Sequence, residues 1–394
     1  MGDPTPMNHD TSVSDTNTKN LSVLYVTIFL NSTGLGTTTF LLPVYAAYIG
    51  ADYIGLGLIG AVGNVAYTGM TLLTGILLDR VDKVRFYRVS TVLGAGILLL
   101  FSIAGDVTKL LICRGLLGVA SGAFWVTAST LTADISPPEK LTQSMGRYNL
   151  AWVLGFAVGP YIGGLVSAQM GFPSMFTLTS ILLIISMFGS VLLFKPIIRS
   201  LEIGETIRGS SLTPLRKLGR MYLTLLPFTV ILGIYMAIMP GTLSLEGINA
   251  SLIGLLITVT NLVRGITFIN VERFVSWGTR RSINLASIFL VAGMSIFSFS
   301  SNVLGFGLAL TLYGVASGIM TPVVLNYIAQ RSDPTSLGTA MGLHEGMYGV
   351  GMTVGPMAGG GVADVYGASA LYQSLALLSM SIPLLSLKLK RDVE

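Results

Sequence analysis

From residue 21 to residue 387 the chain alternates between long apolar stretches and short polar or charged breaks. The apolar residues run continuously within each stretch, which favours membrane-spanning helices over the alternating strands of a barrel. A helix needs about 20 residues to cross the hydrocarbon core of a bilayer. We therefore predict twelve spans, at about 21–49, 52–78, 86–105, 107–133, 144–168, 173–194, 221–243, 252–271, 282–300, 303–329, 336–362 and 368–387.

The composition supports an all-α membrane protein. Hydrophobic residues make up 52% of the 394 residues and charged residues only 10%, against roughly 25% charged in soluble domains. So few charges cannot cover a soluble surface, which makes soluble enzymes, nucleic-acid binders and disordered chains poor fits. The single cysteine, Cys113, provides neither an intramolecular disulfide nor a cysteine metal cluster. No catalytic or ATP-binding motif stands out, and we expect no enzyme activity, metal or cofactor.

The positions of the basic residues predict the orientation in the membrane. Of the 23 lysines and arginines, 20 fall on one side of the predicted spans, Lys109 falls on the other, and two lie inside spans. Basic residues concentrate in cytoplasmic loops, so both termini and the linker at 195–220 are predicted to be cytoplasmic. This bias explains the pI of about 9.2, so the basic residues do not indicate nucleic-acid binding. We expect the basic loops to contact anionic lipid. We expect a monomer in the plasma membrane, with a disordered tail at 1–20 and a short one at 388–394.

The chain also repeats itself at an offset of 196 residues. The sequence 118–122, Gly-Val-Ala-Ser-Gly, recurs at 314–318, and the glycines and proline between 146 and 164 recur between 342 and 360. A shared offset over some fifty residues indicates two six-helix halves, at 21–194 and 221–387. Both halves start on the same side of the membrane, so the repeat is parallel. Such repeats often place the substrate path between the halves.

Three motifs make the chain resemble the major facilitator superfamily of secondary transporters over residues 21–387. The loop after span two keeps the glycine, the Asp-Arg pair and a basic residue, although Asp82 replaces a second glycine. Span four keeps Arg114 with two glycines, and span five keeps a glycine-proline motif that recurs in span eleven. The resemblance implies alternating access, and a contact between the halves at the cytoplasmic side that favours the outward-facing state. The predicted gating residues are Gly75, Asp79, Arg80, Arg85, Gly155, Gly159, Pro160, Gly355 and Pro356.

The glycine-proline motif is often associated with proton-coupled antiporters of this family. Its recurrence in both halves favours a packing role, because small residues let helices approach closely. The loop motif likewise has a plainer interpretation, as an ordinary positive-inside loop.

Four ionisable residues lie inside predicted spans, where charge is costly and therefore indicates function: Arg114, Arg264, His344 and Glu345. The resemblance implies that Arg114 faces the cavity and takes part in proton coupling; the alternative is a structural brace. Arg264 and Glu345 lie at similar depths, and we hypothesise that they pair directly or through His344. Protonation of Glu345 would break the pair and provide a coupling switch, whereas the alternative is a static ion pair. A lone histidine is more often a wall residue than a proton carrier.

Polar and aromatic residues interrupt several spans and are the candidates for the cavity. The resemblance implies that spans one, four, seven and ten line it. The candidate substrate-binding residues are Asn31, Arg114, Trp125, Trp152, Tyr235, Tyr313 and Asn326. This mainly apolar and aromatic set suits a neutral or amphipathic small organic molecule better than a polyanion.

The sequence thus predicts a secondary transporter, with proton-coupled efflux as the leading interpretation. Proton-coupled uptake and facilitated diffusion remain alternatives, because a cavity does not record direction. A receptor or scaffold that kept the fold without transport is an alternative of another class. Flux into liposomes separates the transporter from the scaffold.

Overall fold

The computed structural model describes residues 8–78, 80–194, 213–333 and 336–389. This part of the chain forms fourteen α-helices, a single turn of 3-10 helix and no strand. The helices are α1 Asn8–Tyr48, α2 Tyr53–Leu77, α3 Lys83–Phe101, α4 Val107–Ile135, α5 Leu141–Met170, α6 Phe172–Leu193, α7 Thr213–Ala237, α8 Met239–Leu245, α9 Ala250–Ile269, α10 Val271–Ser276, α11 Thr279–Phe299, α12 Val303–Arg331, α13 Leu337–Tyr366 and α14 Ala368–Ser386.

Twelve of these helices are long and correspond one for one to the predicted spans, while α8 and α10 are short additions. Ten of the long helices are both long and apolar enough to cross a membrane. The other two, α1 and α13, are as long but more polar. The all-α membrane fold expected from the apolar stretches is confirmed.

The internal repeat is visible in how helices begin and end. Asp106 accepts a hydrogen bond from the backbone of Lys109 at the start of α4, and Asn302 does the same for Gly305 at the start of α12. Such side chains satisfy backbone N–H groups that a helix leaves unpaired at its first turn. At the ends of α5 and α13, Gly171 and Gly367 adopt φ values of +83° and +87°, which favour glycine.

The structure differs from the sequence expectation at three places. Helix α1 starts at Asn8, so residues 8–20, expected to be disordered, continue the first span; adding turns to an existing helix costs little. Helix α7 starts at Thr213, inside the predicted linker, of which 195–212 lie outside the described residues. The seventh span divides into α7 and α8 because Pro240 cannot donate a backbone hydrogen bond to Met236.

The long helices pack in two groups, α1–α6 and α7–α14, and the recurring glycines hold each group together. In the first group, a methyl group added at Gly155 of α5 would lie 2.5 Å from the Cβ of Ser32 in α1. In the second, one added at Gly355 of α13 would overlap the carbonyl oxygen of Val230 in α7. Only glycine permits this approach of two backbones, in agreement with the packing interpretation of the motif.

The two groups meet mainly along two helix pairs, α2 with α13 and α5 with α9, and α8 also packs on α1. In the first pair, the backbone at Gly57 packs on the carbonyl oxygen of Pro356. In the second, Gly254 packs on the carbonyl oxygen of Pro160. In each half, the helix that carries the glycine-proline motif therefore packs one face on its own group and another face on the other group.

Candidate functional site

The interface between the two groups is tight at one end and open at the other. We call the end that carries Arg80, Lys140 and Arg331 the basic face, and the end at residues 49–52 and 246–249 the opposite face. Near the opposite face, added methyl groups at several glycines would strike the other group, among them Gly57, Gly164, Gly254 and Gly360. Nearer the basic face, the space around other glycines of the same helices is empty to 4 Å, among them Gly69, Gly146, Gly265 and Gly342. The groups thus enclose a space that is closed towards the opposite face and widens towards the basic face.

Two asparagines mark where the tight part of the interface ends. The amide of Asn64 in α2 donates to the carbonyl oxygen of Met352 in α13 at 2.6 Å. In the other helix pair, the amide of Asn261 in α9 donates to the carbonyl oxygen of Phe156 in α5 at 3.1 Å. Each bond joins one group to the other, so both must break when the groups separate at this level.

Between the groups lies a cavity of about 550 Å³. Its wall comes from α1, α2, α4, α5, α7 and α13, and α12, the tenth span, contributes no lining residue. Spans one, four and seven, which are α1, α4 and α7, reach the cavity as expected. The tenth span does not, and α2 and α13 line the cavity instead. The residues that line it are Leu35, Thr39, Asn64, Tyr67, Thr68, Thr71, Leu72, Arg114, Leu117, Ser121, Trp125, Phe156, Met236, Gly342, Glu345, Gly346, Tyr348, Gly349 and Met352.

Arg114 lies at the closed end of this cavity. It stands seven residues into α4, about 10 Å from the start of the helix at the opposite face. Its guanidinium packs on Gly63 of α2, where an added methyl group would lie 2.5 Å from Nε. No carboxylate lies within 4 Å of it among the described residues.

Among the described residues that line the cavity, Glu345 is the only acid. Its side chain is 76% exposed, and one carboxylate oxygen lies 3.1 Å from Nδ1 of His344. The imidazole is itself 3% exposed and packs on the ring of Tyr348 at 4.8 Å between centroids. Its other nitrogen, Nε2, is buried with no hydrogen-bond partner in the described chain. The arrangement presents one carboxylate to the open end of the cavity, beside a histidine held by an aromatic ring.

Arg264 does not form an ion pair with Glu345 in this conformation. Instead it lies within electrostatic range of the hydroxyls of Tyr235, Tyr313 and Tyr348. Glu345 also acts electrostatically on Tyr348. The pairing of Arg264 with Glu345 stays a prediction.

The aromatic candidates form one continuous layer at the cavity. Trp125 lies on the wall, 6.4 Å from Trp152 and 6.1 Å from Phe156 between ring centroids. The indole N–H of Trp152 donates to the side chain of Asn149 at 3.0 Å. Phe156 continues through Phe40 to the buried Tyr235. A flat apolar molecule on this part of the wall would contact ring faces and edges.

Other candidate residues lie away from this cavity. Asn31 is fully buried and its amide donates to Thr27 and Ser186, which ties α1 to α6. Asn326 accepts a bond from Gln330 one turn further along α12. At the basic face, Gly75 has open space around it and Asp82 begins α3 by accepting from Arg85 at 2.8 Å.

Asp79, the acid of the predicted loop motif, lies outside the described residues. Arg80, its neighbour, is exposed. The gating role of this loop therefore stays a prediction.

Sequence reasoning missed several wall residues, including Ser121, Phe156 and Met236. Ser121 belongs to the repeated Gly-Val-Ala-Ser-Gly segment, but only packing decides which side of α4 faces the cavity. Met236 lies just before the helix break caused by Pro240, and this proline was the sequence feature that could have indicated Met236 as a wall residue. Phe156 looks like any lipid-facing residue when it is taken from the sequence alone.

Comparison with known proteins agrees with this architecture. An uncharacterized MFS-type transporter of Methanocaldococcus jannaschii is 26% identical over 381 residues, covering 93% of this chain and 97% of the relative. Multidrug resistance protein MdtG of Proteus mirabilis is 26% identical over 379 residues, covering 90% and 91%. The crystal structure of the nucleoside transporter NupG superimposes with a TM-score of 0.81 at 14% identity, covering 94% of this chain and 99% of NupG.

The family comparison extends along almost the whole chain. The sequence profile of the Major Facilitator Superfamily matches residues 24–241 and residues 221–394. The chain is therefore a multi-pass membrane protein that belongs to the Major Facilitator Superfamily of transporters.

Proposed function

We propose that the chain exports a small organic molecule through the plasma membrane by alternating access, in exchange for protons. The observation that carries this proposal is the cavity between the two groups, which is closed at the opposite face and holds one exposed carboxylate, Glu345. If the basic face is cytoplasmic, as the distribution of lysine and arginine predicts, this conformation faces inward and is ready to accept a cytoplasmic substrate.

Separation of the groups at the opposite face breaks only contacts that can form again. The Asn64 and Asn261 amides would release their carbonyl partners, and the glycine contacts of α2 and α9 would open. Closure at the basic face would then bring together α2 and α13 around Gly69 and Gly342, where free space exists. Two alternative packings of two rigid groups are what alternating access needs.

The relatives favour export over uptake. One relative is named for multidrug resistance, and resistance of that kind involves removal of drugs from the cell. The aromatic wall around Trp125 and Phe156 suits ring-containing molecules, which fits an organic substrate of this kind.

The test uses purified full-length protein in proteoliposomes with a pH-sensitive dye trapped inside. Pools of drugs, nucleosides, sugars, amino acids and organic acids are added under an imposed proton gradient. Proton movement triggered by one pool, together with movement of the labelled compound in the opposite direction, supports the proposal. Compound movement with protons in the same direction would indicate symport, and movement without protons would indicate facilitated diffusion. No flux of any pool would leave a non-transporting receptor as the better interpretation.

A further inference from the structure

A second, smaller cavity adjoins the closed end of the main one, and we call it the inner pocket. It has a volume of about 30 Å³. Ile59 and Gly60 line the inner pocket but not the main cavity, and they lie closer than Asn64 to the start of α2 at the opposite face. Five residues line both spaces, so a molecule in the main cavity has direct access to the inner pocket: Thr39, Asn64, Arg114, Met236 and Met352.

The guanidinium of Arg114 stands at the junction of the two spaces without a partner. In the part of the chain that the structure describes, it forms no ion pair and no hydrogen bond, and it packs on Gly63. Arginines elsewhere do find partners, as Arg88 does by donating to the carbonyl oxygen and hydroxyl of Ser190. A guanidinium carries several N–H donors, and a cation inside a span needs a counter-charge.

Thr39 of α1 adds a hydroxyl group to the wall of the inner pocket. Thr33, Thr37 and Thr38 each donate a hydrogen bond to the carbonyl oxygen four residues earlier in α1. Thr39 makes no such bond and has no other hydrogen-bond partner among the described residues, although it lines both spaces. Its hydroxyl can therefore donate to a bound group.

Glu345, the acid of the main cavity, does not supply the counter-charge for Arg114. Met352 shares the inner pocket with Arg114, and Glu345 precedes Met352 by seven residues on α13, about 10 Å towards the basic face. The Glu345 side chain is 76% exposed and lies against His344. No acid is found among the described residues that line the inner pocket. A bound molecule is the remaining source of negative charge at Arg114.

We propose that Arg114 and Thr39, at the inner pocket, bind the carboxylate of the transported molecule. A pocket of about 30 Å³ holds roughly one or two water-sized groups, which matches the two oxygens of a carboxylate. Phe156 lines the main cavity and packs on the ring of Phe40, the neighbour of Thr39 in α1. A ring attached to the carboxylate would therefore lie on Phe156. The substrate class is an aromatic monocarboxylate, and this step rests on the proposed function.

The position of the inner pocket also agrees with export. Both groups form its wall, with Thr39 and Arg114 from the first group and Met236 and Met352 from the second. Separation of the groups at the opposite face would therefore open the pocket on that side. The carboxylate would be the first part of the substrate to reach water there, and its hydration would favour release.

The test compares three probes that share one ring system: 2-naphthoate, 2-naphthamide and 2-naphthalenesulfonate. Binding to the full-length protein in detergent is measured by equilibrium dialysis, read from naphthalene fluorescence, with empty micelles as the blank. We expect naphthoate to bind about tenfold or more tightly than naphthamide, because only the carboxylate forms charge-assisted hydrogen bonds. The sulfonate should bind more weakly than naphthoate, since its tetrahedral group is too large for the inner pocket.

Four variants separate the carboxylate contact from folding. Arg114→Gln should weaken naphthoate binding by about tenfold or more and leave naphthamide binding unchanged. Arg114→Lys keeps the charge but loses the planar fork, so its affinity for naphthoate should lie between those of the unchanged protein and Arg114→Gln. Thr39→Val keeps the shape of the side chain and should weaken naphthoate by a few-fold. Arg264→Gln is the matched charge control, because Arg264 also lies in a span but lines neither space, and it should leave naphthoate binding unchanged.

The subsite is overturned if naphthamide or the sulfonate binds as tightly as naphthoate, or if naphthoate does not bind. It is also overturned if Arg264→Gln weakens naphthoate as much as Arg114→Gln does. Should Arg114→Gln fail to fold, Arg114→Lys and Thr39→Val carry the same test. None of these results affects the flux screen, since a transporter of another substrate class would still move its compound.

Discussion

Gly57 of α2 packs against the carbonyl oxygen of Pro356 in α13, so closely that a methyl group on Gly57 would overlap that oxygen. Gly254 of α9 makes the equivalent contact with Pro160 of α5. These two contacts join opposite groups near the opposite face, whereas motif glycines such as Gly155 and Gly355 pack within one group. A substitution at Gly57 or Gly254 should therefore act on the conformational equilibrium rather than on the stability of either group.

The first prediction concerns that equilibrium. Gly57→Ala should disfavour the closed opposite face by about 1–3 kcal/mol, the usual cost of overpacking, and shift the population about 5- to 150-fold towards the alternative conformation. Spin labels at Tyr48→Cys and Tyr366→Cys, in a Cys113→Ala background, report the separation of the groups at the opposite face. Both tyrosines are 74% exposed, so labels there are tolerated.

The matched control lies on the same helix. Gly69→Ala adds the same methyl group where the space is empty to 4 Å, and should leave the label distances as they are. If Gly57→Ala and Gly69→Ala gave the same distance distribution, the contact with Pro356 would not govern closure.

The second prediction concerns packing inside one group. Gly155→Val should place a branched side chain against Ser32 and the backbone of Phe29 in α1, and so lower the free energy of unfolding by at least about 1–3 kcal/mol. Gly146→Val, on the same helix with open space around it, is the control. The unfolding temperatures of the two variants are measured by thermal unfolding in detergent. Equal unfolding temperatures for the two variants would contradict the packing role of the motif in α5.

Helix existence was predictable from this sequence because the signal is strong: a lipid-facing helix must be apolar along its whole length. All twelve long helices were therefore found, and Asn302 and Gly367 could be matched with Asp106 and Gly171 by the repeat alone. The break at Pro240 was not anticipated, because apolar residues continue on both sides of it. Helix α10 was missed for the opposite reason, since six residues are too few to show a period.

The candidate site was predictable only in part. A charge inside a span is visible in the sequence, so Arg114 and Glu345 were found, and both lie on the cavity wall. Which face of a helix a polar residue occupies depends on its neighbours in space. Asn31 and Ser121 carry similar sequence signals, yet the first is bonded to Ser186 and the second faces the cavity.

The third prediction separates the structural role of Asn31 from a role in binding. Asn31→Ala removes the amide that bonds Ser186 and Thr27 deep in the first group. Leaving buried groups unpaired costs about 1–3 kcal/mol, so the unfolding temperature should fall. The affinity for the substrate identified in the flux screen should stay within about twofold of that of the unchanged protein, because Asn31 is not on the cavity wall. A large loss of affinity at unchanged stability would indicate that Asn31 belongs to the substrate site.

The fourth prediction concerns Glu345 as the group that couples protons to transport. Glu345→Gln keeps the shape of the side chain but cannot release a proton, so a proton gradient should no longer concentrate the substrate. Exchange of labelled for unlabelled substrate needs no net proton movement and should continue in the variant. Glu246→Gln is the control, since Glu246 is an exposed acid at the end of α8, away from the cavity. Both variants are compared in proteoliposomes, with and without the gradient. Gradient-driven accumulation that survived in Glu345→Gln would make this residue a structural partner of His344, and the coupling group would then have to lie elsewhere.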